Sequence, residues 1–163
     1  MDAAERGFVD DNSLPLVSRL ARVDLERRLE FSPQRVWKAL THAKEMTAWM
    51  KFPVKMNAEV GGTIYVDFGG RGSMDGVICT FDAPRAFAWV WGDSLVRWEI
   101  EREGAGVRLR FAHIGMKPEL LAGLTAGWQR FLDQLETHLD GVARADRFQE
   151  LEKEYAVELP KRL

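Results

Sequence analysis

Cysteine is all but missing from this chain: Cys79 stands alone among 163 residues. One thiol builds neither a disulfide framework nor a thiolate metal cage, so a reducing, cytoplasmic setting is expected. Long apolar runs are missing as well. No stretch approaches the roughly 20 residues that cross a bilayer, and Met1–Gly7, charged and alanine-rich, shows no signal-peptide pattern. Charge of one sign is not in excess either. A formal net charge of −2 offers no broad electrostatic reason to bind DNA, RNA or an anionic membrane. Histidine is sparse: His42, His113 and His138 share neither an i, i+4 pair nor an HExxH spacing, so no metal and no other cofactor is expected. There is no serine nucleophile elbow, and Gly69-Gly70-Arg71-Gly72 lacks the lysine of a phosphate loop and reads as a hairpin turn.

Tryptophan, by contrast, is abundant, with six residues. Indole is large and carries an N–H that wants a partner, so it seldom disappears into a close-packed core. Trp89, Trp91 and Trp98 fall on alternating, strand-like segments, and Trp128 falls on the apolar stripe of a helix. A sheet and a helix that both offer indoles to the space between them suggest a roomy interior; composition alone favours a solid aromatic core. Cys79 sits in an apolar strand, where a thiol is inert.

Three regions follow along the chain. Residues 1–21 form an extension whose Asp10-Asp11-Asn12-Ser13 and Pro15 favour turns, yet Phe8, Val9, Leu14, Leu16, Val17 and Leu20 are too many apolar residues for a plain tail. The extension is expected to dock on the domain or on a second subunit. Residues 22–141 carry the regular pattern. Val23, Leu25, Arg27 and Leu29 alternate with charged residues, as in a half-buried strand. Ser32 then caps a helix with Pro33 at its first position, and a second short helix carries Met46, Trp49 and Met50. Trp37 reads as a structural anchor of the first.

From Val54 to His113 the period falls to two. Glycine-rich turns separate the runs, and three of them put Phe87, Trp89 and Trp91, then Val96, Trp98 and Ile100, then Val107, Leu109, Phe111 and His113 on one face. The charged residues opposite read as the wet face of an antiparallel meander. After Pro118, Leu121, Leu124, Trp128, Phe131, Leu132, Leu135 and Leu139 mark a helix of about 20 residues, roughly 30 Å long, ended by Gly141. Gly123 and Gly127 interrupt it: Gly127, on the flank of the apolar stripe, serves either close approach to the sheet or room for a ligand or a neighbouring indole, while Gly123 faces further outward. His138 is placed to favour the helix dipole. Residues 142–163 carry Phe148, Leu151, Tyr155 and Leu159 at helical spacing and form an appended helix ended by Pro160.

Ser32-Pro33-x-x-Val36-Trp37-x-Ala39-Leu40-Thr41, Trp49, Gly61-Gly62, Gly76, Trp91 and Gly127-Trp128 with Leu132, Leu135 and Leu139 stand in an order that resembles the START-like, Bet v 1-like superfamily. Within it the chain is most similar to bacterial single-domain proteins named after the C-terminal domain of the Hsp90 ATPase activator. The resemblance covers about Arg22–Gly141. It implies an α+β helix-grip fold: a curved antiparallel sheet of six or seven strands around the long C-terminal helix, with two short helices after the first strand. It also implies an internal cavity for an apolar or aromatic small molecule.

The expected ligand-binding residues are Trp49, Phe68, Trp89, Trp91, Trp98, Phe111, Leu124, Trp128 and Phe131, with Tyr65 and His113 as polar anchors. Binding is expected ahead of catalysis. A cyclase or dehydratase would need an acid or base in that space, and only His113 qualifies on pattern, against a histidine satisfied by backbone. A homodimer through the terminal extensions and a weakly supported chaperone interaction complete the expected partners. Met50 departs from the aromatic that is frequent after the second-helix tryptophan.

Overall fold

A computed structural model describes residues 21–159. The docking of residues 1–20 and the stop at Pro160 therefore lie outside the described residues. Strand β1 (Ala21–Leu29) opens the fold, followed by helices α1 (Pro33–Thr41) and α2 (Ala43–Met50). Six strands come next: β2 (Val54–Met56), β3 (Thr63–Asp67), β4 (Ser73–Asp82), β5 (Ala86–Trp91), β6 (Ser94–Glu103) and β7 (Gly106–Met116). A short turn of helix, Pro118–Leu120, leads into α3 (Leu121–Asp140), and α4 (Phe148–Glu158) closes the described chain. No described helix is long and apolar enough to cross a membrane.

The local signals operate as the residues dictate. Ser32 Oγ accepts the Arg35 N–H at 3.2 Å and Pro33 occupies the first turn, so α1 starts where its cap places it. Gly141 ends α3 at φ 75°, a left-handed conformation that costs glycine little. The seven strands form one antiparallel sheet in the order β1-β7-β6-β5-β4-β3-β2. The inward phase predicted for β5, β6 and β7 holds: Phe87, Trp89, Val96, Trp98, Leu109 and Phe111 are buried. Helix α3 lays Leu121, Trp128, Leu132 and Leu135 into that core, which is the helix-grip arrangement.

Cys79 and Gly127 depart from the expected pattern. Cys79 is exposed rather than enclosed, because alternation along β4 turns Met74, Gly76 and Ile78 inward and Cys79 outward, just where a bulge between Ile78 and Thr80 shifts the register. Gly127 faces α4 and not the sheet, a Cβ there lying 3.9 Å from Phe148 Cε1; Gly123, on the outward side as expected, also faces α4, where a Cβ would lie 3.5 Å from Glu152 Oε2.

Gly76 shows how tightly the sheet is packed under its indoles. A Cβ there would meet Trp89 Cδ1 at 2.7 Å and the Ile64 methyl and the Val90 carbonyl oxygen at 3.0 Å. The carbonyl belongs to the neighbouring strand and cannot yield without disturbing the ladder. Gly76→Ala is expected to lower stability by about 1–3 kcal/mol, read as a drop in the urea midpoint at unchanged m-value. An unchanged midpoint would mean that the Trp89 ring moves aside freely.

Candidate functional site

The space between sheet and α3 is solid at one end and open at the other. At the solid end Trp98 packs against Phe111 at 4.6 Å between centroids and lies edge-on to Trp49 at 6.2 Å and to Trp128 at 6.1 Å. Phe111 also meets Trp128 at 4.3 Å. Trp49 is pinned separately, its indole N–H donating to the Ala39 carbonyl at 2.8 Å. The Trp98 indole nitrogen is buried without a partner among the described residues. Leaving such a donor unmade costs about 1–3 kcal/mol, so apolar packing outweighs polar satisfaction here. Trp49, Trp98 and Phe111, three of the expected ligand contacts, are thus packed into the core and do not line the aromatic cleft.

At the open end lies a cleft of about 850 Å³. Its sheet side is built by Phe68, Ser73, Met74, Trp89 and Trp91, its helical side by Leu124, Gly127, Trp128 and Phe131, and Met50 and Phe52 enter from the end of α2. Six expected residues, Phe68, Trp89, Trp91, Leu124, Trp128 and Phe131, meet around this one space. The third side is α4, which contributes Phe148, Glu152, Lys153 and Ala156, one face at a spacing of four. That wall belongs to the appended helix and was missed in the sequence reading, although the repeat of Phe148, Glu152 and Ala156 was there to be read. Arg71, Glu119 and Arg130 complete the lining, with Arg130 stacked over the Phe148 ring at 5.3 Å.

Neither expected polar anchor faces the cleft. Tyr65 lies between the buried Ile64 and Val66 on β3, so alternation sends its ring to the outer face. His113 is buried, and both of its nitrogens are engaged. The Trp128 indole can only donate, and it does so to His113 Nδ1 at 3.1 Å. The ring proton therefore sits on Nε2 and points to Ser94 Oγ at 3.0 Å, while Ser94 donates onward to the Trp91 carbonyl at 2.8 Å. Trp91 stacks on the imidazole at 5.3 Å and 13°. Burial pushes the His113 pKa down to about 4, so the ring is neutral near pH 7. This histidine positions two indoles that line the cleft and leaves no nitrogen for a ligand or a proton transfer.

A second, polar groove of about 500 Å³ runs between α2, α3 and the 143–146 loop. Its groups are largely tied to one another. His138 Nε2 lies 2.9 Å from Glu45 Oε1, which also accepts from Arg35, so this histidine serves α2 as a partner and not only the helix dipole. Gln134 donates to the Trp49 carbonyl at 2.9 Å, and Arg130 pairs with Asp146 at 3.2 Å. Among the described residues, no group of three or more His, Cys, Asp or Glu side chains is placed to hold a metal ion.

A seven-stranded antiparallel sheet gripping a C-terminal helix, with an aromatic cleft left open beside it, defines a START-like, helix-grip domain. The model of the family described as "Activator of Hsp90 ATPase homolog 1-like protein" matches residues 30–140, and the chain belongs to that family. The solved structures with this fold include CalU16 from Micromonospora echinospora, with 21% identity, 83% of each chain covered and a TM-score of 0.70. A conserved protein of unknown function from Enterococcus faecalis has 15% identity and a TM-score of 0.74, over 93% of this chain and 98% of that one. The Aha1 dimer from Colwellia psychrerythraea has 19% identity and a TM-score of 0.68, over 74% and 96% respectively. No curated protein matches the chain.

Proposed function

We propose that the domain binds a small apolar or aromatic molecule in the cleft bordered by Trp89, Trp91, Leu124, Trp128 and Phe131. The supporting observation is the cleft itself. Its volume of about 850 Å³ falls in the range of small-molecule sites, and its walls are mainly apolar, with seven aromatic residues and five charged ones among the twenty-one that line it. Such walls offer a planar molecule large contact area at low conformational cost.

Binding is favoured over a cyclase or dehydratase reaction by one geometric fact. Proton transfer needs an acid or base facing the bound molecule out of bulk water; both nitrogens of His113 are already occupied, and Glu119, Glu152 and Lys153 at the cleft are exposed. Chaperone association follows only from the family's printed name, and a homodimer only from the dimeric relative from Colwellia psychrerythraea; both are secondary proposals.

Two measurements test the reading. Native mass spectrometry of freshly purified protein is expected to show a co-purifying small molecule. Titration with 1-anilinonaphthalene-8-sulfonate is expected to change indole fluorescence saturably, and Leu124→Trp, which fills the cleft, is expected to weaken that binding at least about tenfold. Absence of both the passenger and a saturable signal would overturn the proposal.

A further inference from the structure

The aromatic cleft does not end at its own walls. Met50, Phe52 and Arg130 line both the cleft and the polar groove beside it, so the two spaces meet along these three side chains. We infer that the ligand carries an anionic head group, a carboxylate or sulfonate, which leaves the cleft past Arg130 and meets Lys51 at the mouth of the groove. The inference rests on the cleft being the binding site proposed above.

The carboxylates that line the groove are spent on partners within the protein. Asp133 faces Arg27 and Arg147, and Asp146 accepts the Phe148 amide at 2.9 Å and pairs with Arg130 at 3.2 Å. Arg144 is held in turn by Asp140 at 2.7 Å, and His138 by Glu45. Two cations at the junction keep donors to offer. Arg130 is half-buried, engages Asp146 through one terminal nitrogen and sits over the Phe148 ring, which leaves other N–H groups of its fork unused. Lys51 ends α2 in a left-handed conformation, φ 64°, its amide donating to the Thr47 carbonyl at 3.0 Å. Its side chain is exposed at the groove, and its ammonium pairs with no carboxylate among the described residues. The remaining charges of the cleft do not line the groove and cancel, Arg71 and Lys153 against Glu119 and Glu152. An anion is therefore matched at the junction, where a ligand body lying against Phe131 and Trp128 would carry it.

Two probes that differ only in the head group provide the test: 1-anilinonaphthalene-8-sulfonate, and N-phenyl-1-naphthylamine, the same ring system without the sulfonate. In the full chain, Arg130→Gln is expected to weaken sulfonate binding about tenfold, and Lys51→Gln, which removes an exposed charge, about threefold. Neither change is expected to alter the affinity for the neutral probe. Added salt is expected to weaken the sulfonate in the unmodified chain, and to do so less in Lys51→Gln. Should Arg130→Gln also loosen α4 and weaken both probes, Lys51→Gln still decides, because its side chain is exposed. Equal shifts of both probes in Lys51→Gln, or none in either, would overturn the anionic head group while leaving the cleft as a binding site. Indifference of both probes to Leu124→Trp would overturn the cleft reading itself.

Discussion

Acidification from pH 7 to pH 4 is expected to remove about 3 kcal/mol of stability through one side chain, His113. Desolvation lowers its pKa in the folded protein from 6.5 to about 4. In the unfolded chain the imidazole takes up its proton near pH 6.5. Between these two values the unfolded state binds more protons than the folded one, so stability falls as the pH falls. The contribution is fully present above pH 6.5 and is lost progressively down to about pH 4. A separation of about 2.5 pH units at about 1.4 kcal/mol per unit sets the size. Solvent screening takes little from it, because His113 is only 2% exposed.

The geometry says what the proton breaks. Protonated Nδ1 becomes a donor facing the donor Trp128 Nε1–H, and the 3.1 Å hydrogen bond turns into a repulsive contact. His113→Gln keeps an acceptor for Trp128 and a donor for Ser94 and does not titrate. Urea unfolding of the two proteins across pH 7 to 4 is expected to show a slope smaller by about one proton in the variant. Parallel slopes would mean that the native ring is protonated as easily as the unfolded one. Imidazole nitrogen shifts at pH 7 are expected to report the Nε2–H form; an Nδ1–H ring would contradict the assigned hydrogen-bond chain.

How much of this was legible beforehand depends on what periodicity encodes. Alternation places Phe87, Trp89 and Trp98 on the inward face, and the three- and four-residue steps of Leu121 to Leu139 place the stripe of α3, so the helix-grip architecture follows from one-dimensional spacing. Phase does not give depth. Trp98 and Trp89 share the inward face, yet one is locked among Trp49, Phe111 and Trp128 and the other reaches a cleft, because sheet curvature and the crossing of α3 decide which rings meet. Tyr65 was misplaced although its neighbours Ile64 and Val66 already fix its phase. His113 was placed correctly on the inward face, but its partners come from β6 and α3, positions that spacing along β7 cannot name. Cys79 was misread although alternation fixes its phase too: Met74, Gly76 and Ile78 face inward, so the thiol faces outward.

The largest signal passed over is a charge on the inward phase of β1. Arg27 points toward α3 with Val23 and Leu25, a position where a cation needs partners. It finds Asp133 Oδ1 at 3.1 Å, the Glu136 carboxylate and Gln129 Oε1 at 2.6 Å. Asp133 also receives Arg147 through two bonds of 2.9 and 3.0 Å, the paired geometry that fixes a guanidinium in place. Arg147 is the residue at the start of α4, and Gln129 reaches α4 again through the Tyr155 hydroxyl at 3.0 Å. One carboxylate therefore ties the first strand, the gripped helix and the helix that closes the third side of the cleft.

Asp133→Ala is accordingly expected to cost about 2–4 kcal/mol. Loss of one partner from a buried ion pair costs about 3–5 kcal/mol, and partial exposure of the two arginines brings the value down. The loss is expected to fall unevenly. With Arg147 released, α4 is held chiefly by Leu151, Phe148 and Tyr155, so its amides are expected to exchange faster than those of β6 and β7. A replacement that removes the charges together, Arg27→Met with Asp133→Leu, is expected to recover most of the stability, since no guanidinium of β1 is then left unpaired in the core. Recovery without restored protection of α4 would separate the two duties of Asp133: neutralising Arg27 beneath α3, and anchoring through Arg147 the helix that walls the cleft. A loss below about 1 kcal/mol with α4 exchange unchanged would show that Glu136 alone balances Arg27 and that packing, not charge, docks α4.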